Sequence, residues 1–349
     1  MNKMDNIIFI GVDYKKGKGG VASVLFQYSK IFPEAIFIKS TSSVNKISNL
    51  IQFLICISKL SFLLIRNSNL IIHIHGSSYH SFFRKYIIYK ICKRFTCKVV
   101  YHIHGGEFNM FYAKSSKRVK IYIEDFINNA DQVICLSKEW KIFFLENFNP
   151  KRIDVVPNIV PYPNLKVNKL NNLFEFLFLG HISENKGIWL LLDVIIENKK
   201  KLLGKCKFLI GGNGEVNRLQ ELILKNDLSS LIEYIGWVSD DIKINYLNSV
   251  NSYILPSYNE GLPISILEAM SYGLPILSTN VGGIPEVVKE NVNGYLVNPG
   301  DKKELSDKIL YIIEKQKEFE FLGKNSMKMV EPYLPKNVKN ILNNLYNNI

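Results

Sequence analysis

The chain has 349 residues, 47% of them apolar and 21% charged, and a formal net charge of +13. That apolar share supports a hydrophobic core and excludes a disordered or low-complexity chain, and at roughly 100–200 residues per domain the length suggests two domains. Five scattered cysteines (Cys56, Cys92, Cys97, Cys135, Cys206) with no Cys-x-x-Cys pair argue against a disulfide framework or structural zinc and favour a reducing compartment.

No secretory leader is expected at the start, because Asp5 sits where such a leader carries cations and then a long apolar run. Short apolar runs follow: Ile7–Val12, Ala35–Lys39, Leu70–His75, Lys98–His104, Gln132–Leu136 and Ile153–Val156 read as strands, with helical periodicity between them. Continuous runs such as Ile7-Ile8-Phe9-Ile10 suit parallel strands covered on both faces, so the alternation predicts a doubly wound α/β sheet. The longest apolar stretch, Ile51–Ile65, is interrupted by Gln52 and Lys59 and falls short of the roughly 18 residues that span a bilayer. It reads as a buried or amphipathic helix.

Pro157, Pro161 and Pro163, among many Asn residues, break the pattern over Pro157–Asn172, which reads as an interdomain linker. The alternation then restarts with strands at Phe174–Leu179, Cys206–Ile210, Ile232–Ile235, Ser252–Leu255, Pro275–Ser278 and Gly294–Val297. The expected organisation is a first α/β domain over residues 1–165, a second over 170–331, and a C-terminal helix over 332–349. Ligands of open α/β sheets bind beyond the carboxyl ends of the strands, so two such domains facing each other would enclose a cleft.

Charge is unevenly placed: 25 of the 44 Lys and Arg, but only 10 of the 31 Asp and Glu, fall in the first 170 residues. Such a field attracts polyanions or an anionic leaflet. Arg84, Lys85, Lys90, Lys93, Arg94 and Lys98, interleaved with Phe82, Phe83, Tyr86, Ile87 and Ile91, read as a basic amphipathic helix of the membrane-surface type. An ordinary surface helix packed on a sheet gives the same pattern. No nucleic-acid motif accompanies the charge, so nucleic acid is not an expected partner.

The strand exits carry the candidate chemistry. Gly17-Lys18-Gly19-Gly20-Val21-Ala22 follows the first strand and precedes a helix, where backbone amides attract anions. It also fits the dinucleotide fingerprint G-x-G-x-x-A, which keeps an NAD(P)-dependent oxidoreductase open, although Asp13 to Lys16 separate strand and glycines where that fingerprint has a tight turn. Two His-x-His pairs, His73/His75 and His102/His104, end strands, and alternate strand residues share a face, so each pair could present two nitrogens to a metal. Few Asp or Glu residues stand nearby to complete such a site. His75 and His104, each before a glycine, are expected to face the cleft, and His73 and His102 to lie in the core. Gly180-His181-Ile182-Ser183-Glu184-Asn185-Lys186-Gly187 places a lysine at a helix start, an arrangement suited to a diphosphate. In Pro256–Met270, Pro263 fits the first helical position and Gly273 with Pro275 the helix exit, with Glu260 just before the helix and Glu268 in its second turn. Two acids beside a phosphate site make sense if they accept hydrogen bonds from sugar hydroxyls.

The Glu260-x7-Glu268 spacing with Gly261-Leu262-Pro263 inside it resembles the retaining glycosyltransferases of family four. So do Gly273-Leu274-Pro275, Gly282-Gly283-Ile284-Pro285-Glu286, Gly180–Gly187, Gly211-Gly212-Asn213-Gly214, Gly236-Trp237-Val238, the Gly19-Gly20 loop, His75-Gly76 and His104-Gly105. This resemblance implies a GT-B fold: two Rossmann-like doubly wound domains facing a cleft, acceptor-binding first and nucleotide-sugar-binding second, with a C-terminal helix that crosses back to the first. It implies that Glu268 holds the ribose and Glu260 the donor-sugar hydroxyls. Gly261, Leu262 and Pro263 would line the sugar and phosphate region, Lys186 and His181 would meet the diphosphate, and Gly19 and Gly20 would close on the phosphates. His104 would lie near the transferred sugar, His75 on the acceptor side, and Gly212, Asn213, Trp237 and Val238 at the base. It implies transfer from a nucleotide sugar, UDP-linked by expectation, to a glycan or lipid-linked acceptor in surface-polysaccharide synthesis; the basic first domain, not the resemblance, leads us to expect that acceptor at the cytoplasmic membrane face. No cofactor and no metal are expected; no Asp-x-Asp motif is present. The family commonly has arginine where this chain has His181, which cannot supply a permanent guanidinium. A non-catalytic sugar-nucleotide-binding protein would show the same donor motifs.

Overall fold

The structure is a computed structural model that describes residues 6–17, 19–41, 45–165, 173–238 and 240–349. The opening residues 1–5, Lys18 of the glycine loop and residues 166–172 of the expected linker lie outside the described residues. The chain divides into two compact units, Met1–Val160 with Tyr333–Ile349, and Pro161–Pro332.

The first unit holds a six-stranded, all-parallel sheet: β1 (Ile7–Gly11), β2 (Ile36–Lys39), β3 (Leu70–Gly76), β4 (Cys97–Ile103), β5 (Gln132–Cys135) and β6 (Ile153–Val155), in the order β2-β1-β3-β4-β5-β6. Each strand lies on a sequence run expected to form one; the central runs β1 and β3 are buried on both faces, while the edge strands β2 and β6 are only partly covered. On one face Ile8, Ile10, Ile72, Ile74, Val99 and Tyr101 pack with Phe53, Cys56, Leu60, Phe82, Ile88 and Phe126 from the helices Lys46–Arg66 (α2), His80–Cys92 (α3) and Lys117–Asn129. On the other, Phe9, His73 and His75 meet Tyr28 of the helix Gly20–Ile31 (α1) and Tyr346 of the C-terminal helix Pro335–Asn347.

α2 runs over 21 residues, longer than the apolar stretch that announces it, because Asn45 caps its start: the side chain accepts a hydrogen bond from Ser48 N–H at 2.8 Å. α3 departs from the expected basic amphipathic helix. It ends at Cys92, Lys98 lies on β4, and Lys85 points inward, buried with its ammonium on the Ser40 hydroxyl. Burial pushes the Lys85 pKa down to about 7.

The second unit repeats the plan with β7 (Phe174–Leu179), β8 (Cys206–Gly211), β9 (Ile232–Gly236), β10 (Ser252–Leu255), β11 (Ile276–Thr279) and β12 (Gly294–Val297), all parallel in the order β12-β11-β10-β7-β8-β9. The order reverses at β7 and β10, the two central strands. The loops leaving their carboxyl ends therefore stand side by side, where a doubly wound sheet binds its ligand.

Candidate functional site

In the second unit, the β7 exit passes through Gly180 and His181 into a single 3-10 turn, Glu184–Lys186, before the helix Ile188–Glu197. Gly187 makes that junction in a left-handed conformation (φ 68°), and a Cβ there would stand 1.8 Å from the Pro256 carbonyl oxygen. Only glycine lets the β7 loop press against the β10 loop, and Tyr258 N–H donates to the Asn185 carbonyl at 2.9 Å to hold the two together.

This contact delivers Lys186 to Glu260. Their Nζ and Oε1 atoms are 2.5 Å apart, Glu260 is buried, and Ser257 Oγ donates to the same oxygen at 2.9 Å. Ser257 is anchored in turn, since Thr279 Oγ1 donates to its carbonyl at 2.6 Å. Behind Glu260 the Gly282-Gly283 turn packs backbone to backbone: Gly283 N–H donates to the Gly261 carbonyl at 2.7 Å, and Gly282, at φ 54°, would place a Cβ 1.9 Å from the Glu260 carbonyl oxygen.

Glu268 lies in the helix Ile264–Ser271, buried, and its Oε1 is 2.5 Å from Nζ of Lys243 on the helix Asp240–Ser249. Pro263 stands one residue outside that helix as its N-terminal cap, not in its first turn, because its ψ of 121° is extended. Gly273 ends the segment in the expected left-handed conformation (φ 72°). The two buried carboxylates are thus neutralised within the unit: each has its own ammonium. Uncompensated, either buried charge would be costly. Leu262 and Gly261 lie between the two acids, both buried.

His181 is exposed and meets Asn213, Nδ1 to Oδ1 3.2 Å. Ile182 N–H donates to the Asn213 carbonyl at 2.6 Å and Gly180 N–H to the Gly211 carbonyl at 3.0 Å, so the β7 and β8 exits form one surface that includes Gly212. Trp237 and Val238 follow β9, the next strand, with Trp237 exposed. Sequence reasoning missed Lys243 and Ser257. Ser257 lies inside the run already singled out, three residues before Glu260, whereas nothing local marks Lys243, whose partner is 25 residues away.

In the first unit, Gly19 caps α1 at φ 106° with open space where a Cβ would stand, and Gly20 begins the helix. The cap lies eight residues beyond the end of β1 at Gly11, so this is not the tight strand-to-helix turn of the dinucleotide fingerprint. The histidines end on adjacent strands, where the register sets His75 opposite His102. Tyr346 O–H meets His73 Nδ1 at 2.5 Å, His73 Nε2 faces His102 Nδ1 at 3.2 Å, and His75 Nδ1 meets His104 Nε2 at 2.8 Å. His75 does not face outward as the glycine after it suggested. It is buried, its ring stacked 4.5 Å from that of His73, because β3 residues two apart share the face that Tyr28 and Tyr346 cover. Of the four, His104 alone is partly exposed.

Ligand atoms of His73, His75 and His102 lie within 4.8 Å of one another, close enough for a metal. The parallel rings of His73 and His75, at 10°, set their nitrogens side by side, and the bonds present are those of neutral imidazoles sharing protons. Burial, reinforced by the neighbouring imidazoles, holds His73, His75 and His102 well below the usual histidine range, and burial pushes His104 down to about 4 against an opposing hydrogen bond with Asn158.

Two family models match the chain in succession. Glycosyltransferase Family 4 matches residues 28–162, and Glycosyl transferases group 1 matches residues 165–329. An uncharacterized glycosyltransferase of Methanocaldococcus jannaschii is 28% identical over 215 residues, 61% of this chain and 58% of that protein. An uncharacterized 41.2 kDa protein in the cps region of Klebsiella pneumoniae is 28% identical over 312 residues, 80% of this chain and 83% of that one. Among solved structures, Anabaena HepE in complex with UDP-glucose superposes with a TM-score of 0.78 at 17% identity, covering 98% of this chain and 99% of that one. A glycosyltransferase family model thus falls on each of the two parallel-sheet units, neither spanning half of the chain by itself, and the chain as a whole has the GT-B fold.

Proposed function

We propose that the protein is a retaining, metal-independent glycosyltransferase that moves a sugar from a UDP-linked donor to a glycan or lipid-linked glycan in surface-polysaccharide synthesis, working at the inner face of the cytoplasmic membrane. The observation that carries this reading is the pair of lysine-neutralised carboxylates, Lys186–Glu260 and Lys243–Glu268, on adjoining loops and helices at the strand exits of the second unit. HepE binds UDP-glucose with the same fold, and the Klebsiella relative is encoded in a cps region, which supports the donor and the pathway class.

Breaking the anomeric C–O bond leaves positive charge on the sugar and negative charge on the departing diphosphate. Lys186 and the backbone amides of the β7 and β10 loops are fixed before reaction and favour that separation. Donor binding lets Lys186 exchange part of its contact with Glu260 for phosphate oxygens, which frees the Glu260 carboxylate to accept from sugar hydroxyls. Glu268, held by Lys243, accepts from the ribose. Retention follows if the leaving phosphate takes the acceptor proton on the face it departs from. His104, neutral and partly exposed, offers the first unit a hydrogen-bonding group without charge.

A panel of nucleotide sugars, UDP, and NAD(P), scored by thermal shift, tests the donor class, since a ligand that binds only the folded state raises its stability. A UDP-sugar should raise the midpoint, and proton NMR of the product should show the donor's anomeric configuration retained. A response to NAD(P) alone would overturn the reading. Donor binding with no transfer to any glycan acceptor would leave a sugar-nucleotide-binding protein.

A further inference from the structure

The first unit carries a surface that its own packing does not use. α2 turns Phe53, Cys56, Leu60 and Leu64 into the core. At 100° per residue its opposite face is Ile47, Leu50, Ile51, Leu54, Ile55, Phe62 and Ile65, which are 53–73% exposed. A surface helix ordinarily puts polar residues there; this one reverses the pattern over five turns, with Ser58 the polar residue within the stripe. By length and a mean hydropathy of 1.8 the helix could cross a bilayer, but its inner face is committed to the sheet, so it can only lie along a surface.

Cations edge the stripe. Lys59 and Arg66 flank it on α2, with the Arg66 guanidinium 4.4 Å from the Phe62 ring centroid, and Lys46 stands exposed at the first residue of the helix. α3 packs beside α2 and adds exposed Phe83 and Ile87, with Arg94 just beyond its end. Neither helix contains an acidic residue. A second copy of the chain docked on this face would bring like charges together with no acid on either helix to meet them. An anionic leaflet matches both features.

We propose that the outer face of α2 is an interfacial anchor, its apolar stripe seated at the acyl boundary of an anionic leaflet and its flanking cations among the headgroups. The proposal rests on the preceding reading only for its purpose, which is to bring the enzyme to a lipid-linked acceptor. It moves the anchor from the basic α3 segment singled out in the sequence to the helix before it.

The test is sedimentation of the full chain with vesicles of phosphatidylcholine, with and without phosphatidylglycerol. Wild type should pellet with the anionic vesicles. I51S/L54S should weaken that partition about tenfold or more without depending on salt, and K59E/R66E should weaken it chiefly at low salt. Both variants should keep the wild-type thermal midpoint and its response to UDP. Wild type remaining in the supernatant, or I51S/L54S pelleting like wild type, would overturn the anchor. So would light scattering that shows a wild-type dimer lost in I51S/L54S, which would make the face a contact between copies. Loss of the UDP response with vesicle binding intact would strike at the donor reading and leave the anchor standing.

Discussion

Acid should unfold the first unit through its histidines. His73, His75 and His102 are fully buried and neutral, so their native pKa values lie below the unfolded value of 6.5. Such a group takes up a proton only on unfolding. Its contribution is therefore intact well above pH 6.5, and stability is lost as the pH falls through that value. If neither these three nor His104 binds a proton in the native state above pH 5.5, each costs about 1.4 kcal/mol between pH 7.5 and 5.5, about 5–6 kcal/mol together. That is a large part of the roughly 5–15 kcal/mol that holds a domain folded. Urea unfolding at pH 7.5, 6.5 and 5.5, followed by the fluorescence of Trp140 after replacing Trp189 and Trp237 by Phe, measures the loss. Because His104, held down at about 4, behaves in the same way, the slope at the acid end should approach four protons, and His75→Phe should reduce it by one. A change below about 1 kcal/mol between pH 7.5 and 5.5 would refute this account of the array.

At the donor site, Lys186→Ala should lower turnover about 100-fold or more and His181→Ala less than about tenfold, read from initial rates with a UDP-sugar, because Lys186 is the cation fixed against Glu260 while His181 is exposed. Equal, small losses would count against this phosphate assignment. Lys243→Met should destabilise the second unit by about 2 kcal/mol in urea and weaken donor binding, since it strands the buried Glu268 carboxylate, and adding Glu268→Gln should restore part of the stability but not the binding. Gly282→Ala should cost about 1–3 kcal/mol and lower the thermal midpoint, because alanine at φ 54° would also drive its Cβ into the Glu260 carbonyl. An unchanged midpoint would mean that the turn yields more easily than its packing suggests.

The strands were legible because a doubly wound sheet leaves the plainest trace a sequence can carry: apolar runs such as Phe174–Leu179, bounded by glycine. Glu260 and Glu268 were legible for a related reason, since both belong to one short loop and helix whose Pro and Gly punctuation fixes its geometry. What the sequence concealed was tertiary pairing. Lys243 reaches Glu268 from another helix, and Lys85 reads as one more surface cation until Ser40 is brought beneath it. Ile51–Ile65 suggested a buried or amphipathic helix, because apolar periodicity shows that a helix has a greasy face but not that both faces are greasy and one is uncovered.

The Tyr346–His73 bond has a consequence for synthesis. Tyr346 is made 186 residues after Val160, where the first unit's main stretch ends. At roughly 5–20 residues per second a ribosome needs roughly 10–40 s to cover that interval. During it the histidine face of the sheet waits without its lid while the whole second unit emerges and can fold. A nascent chain stalled in that window would offer chaperones an uncovered aromatic and imidazole patch that the finished molecule hides.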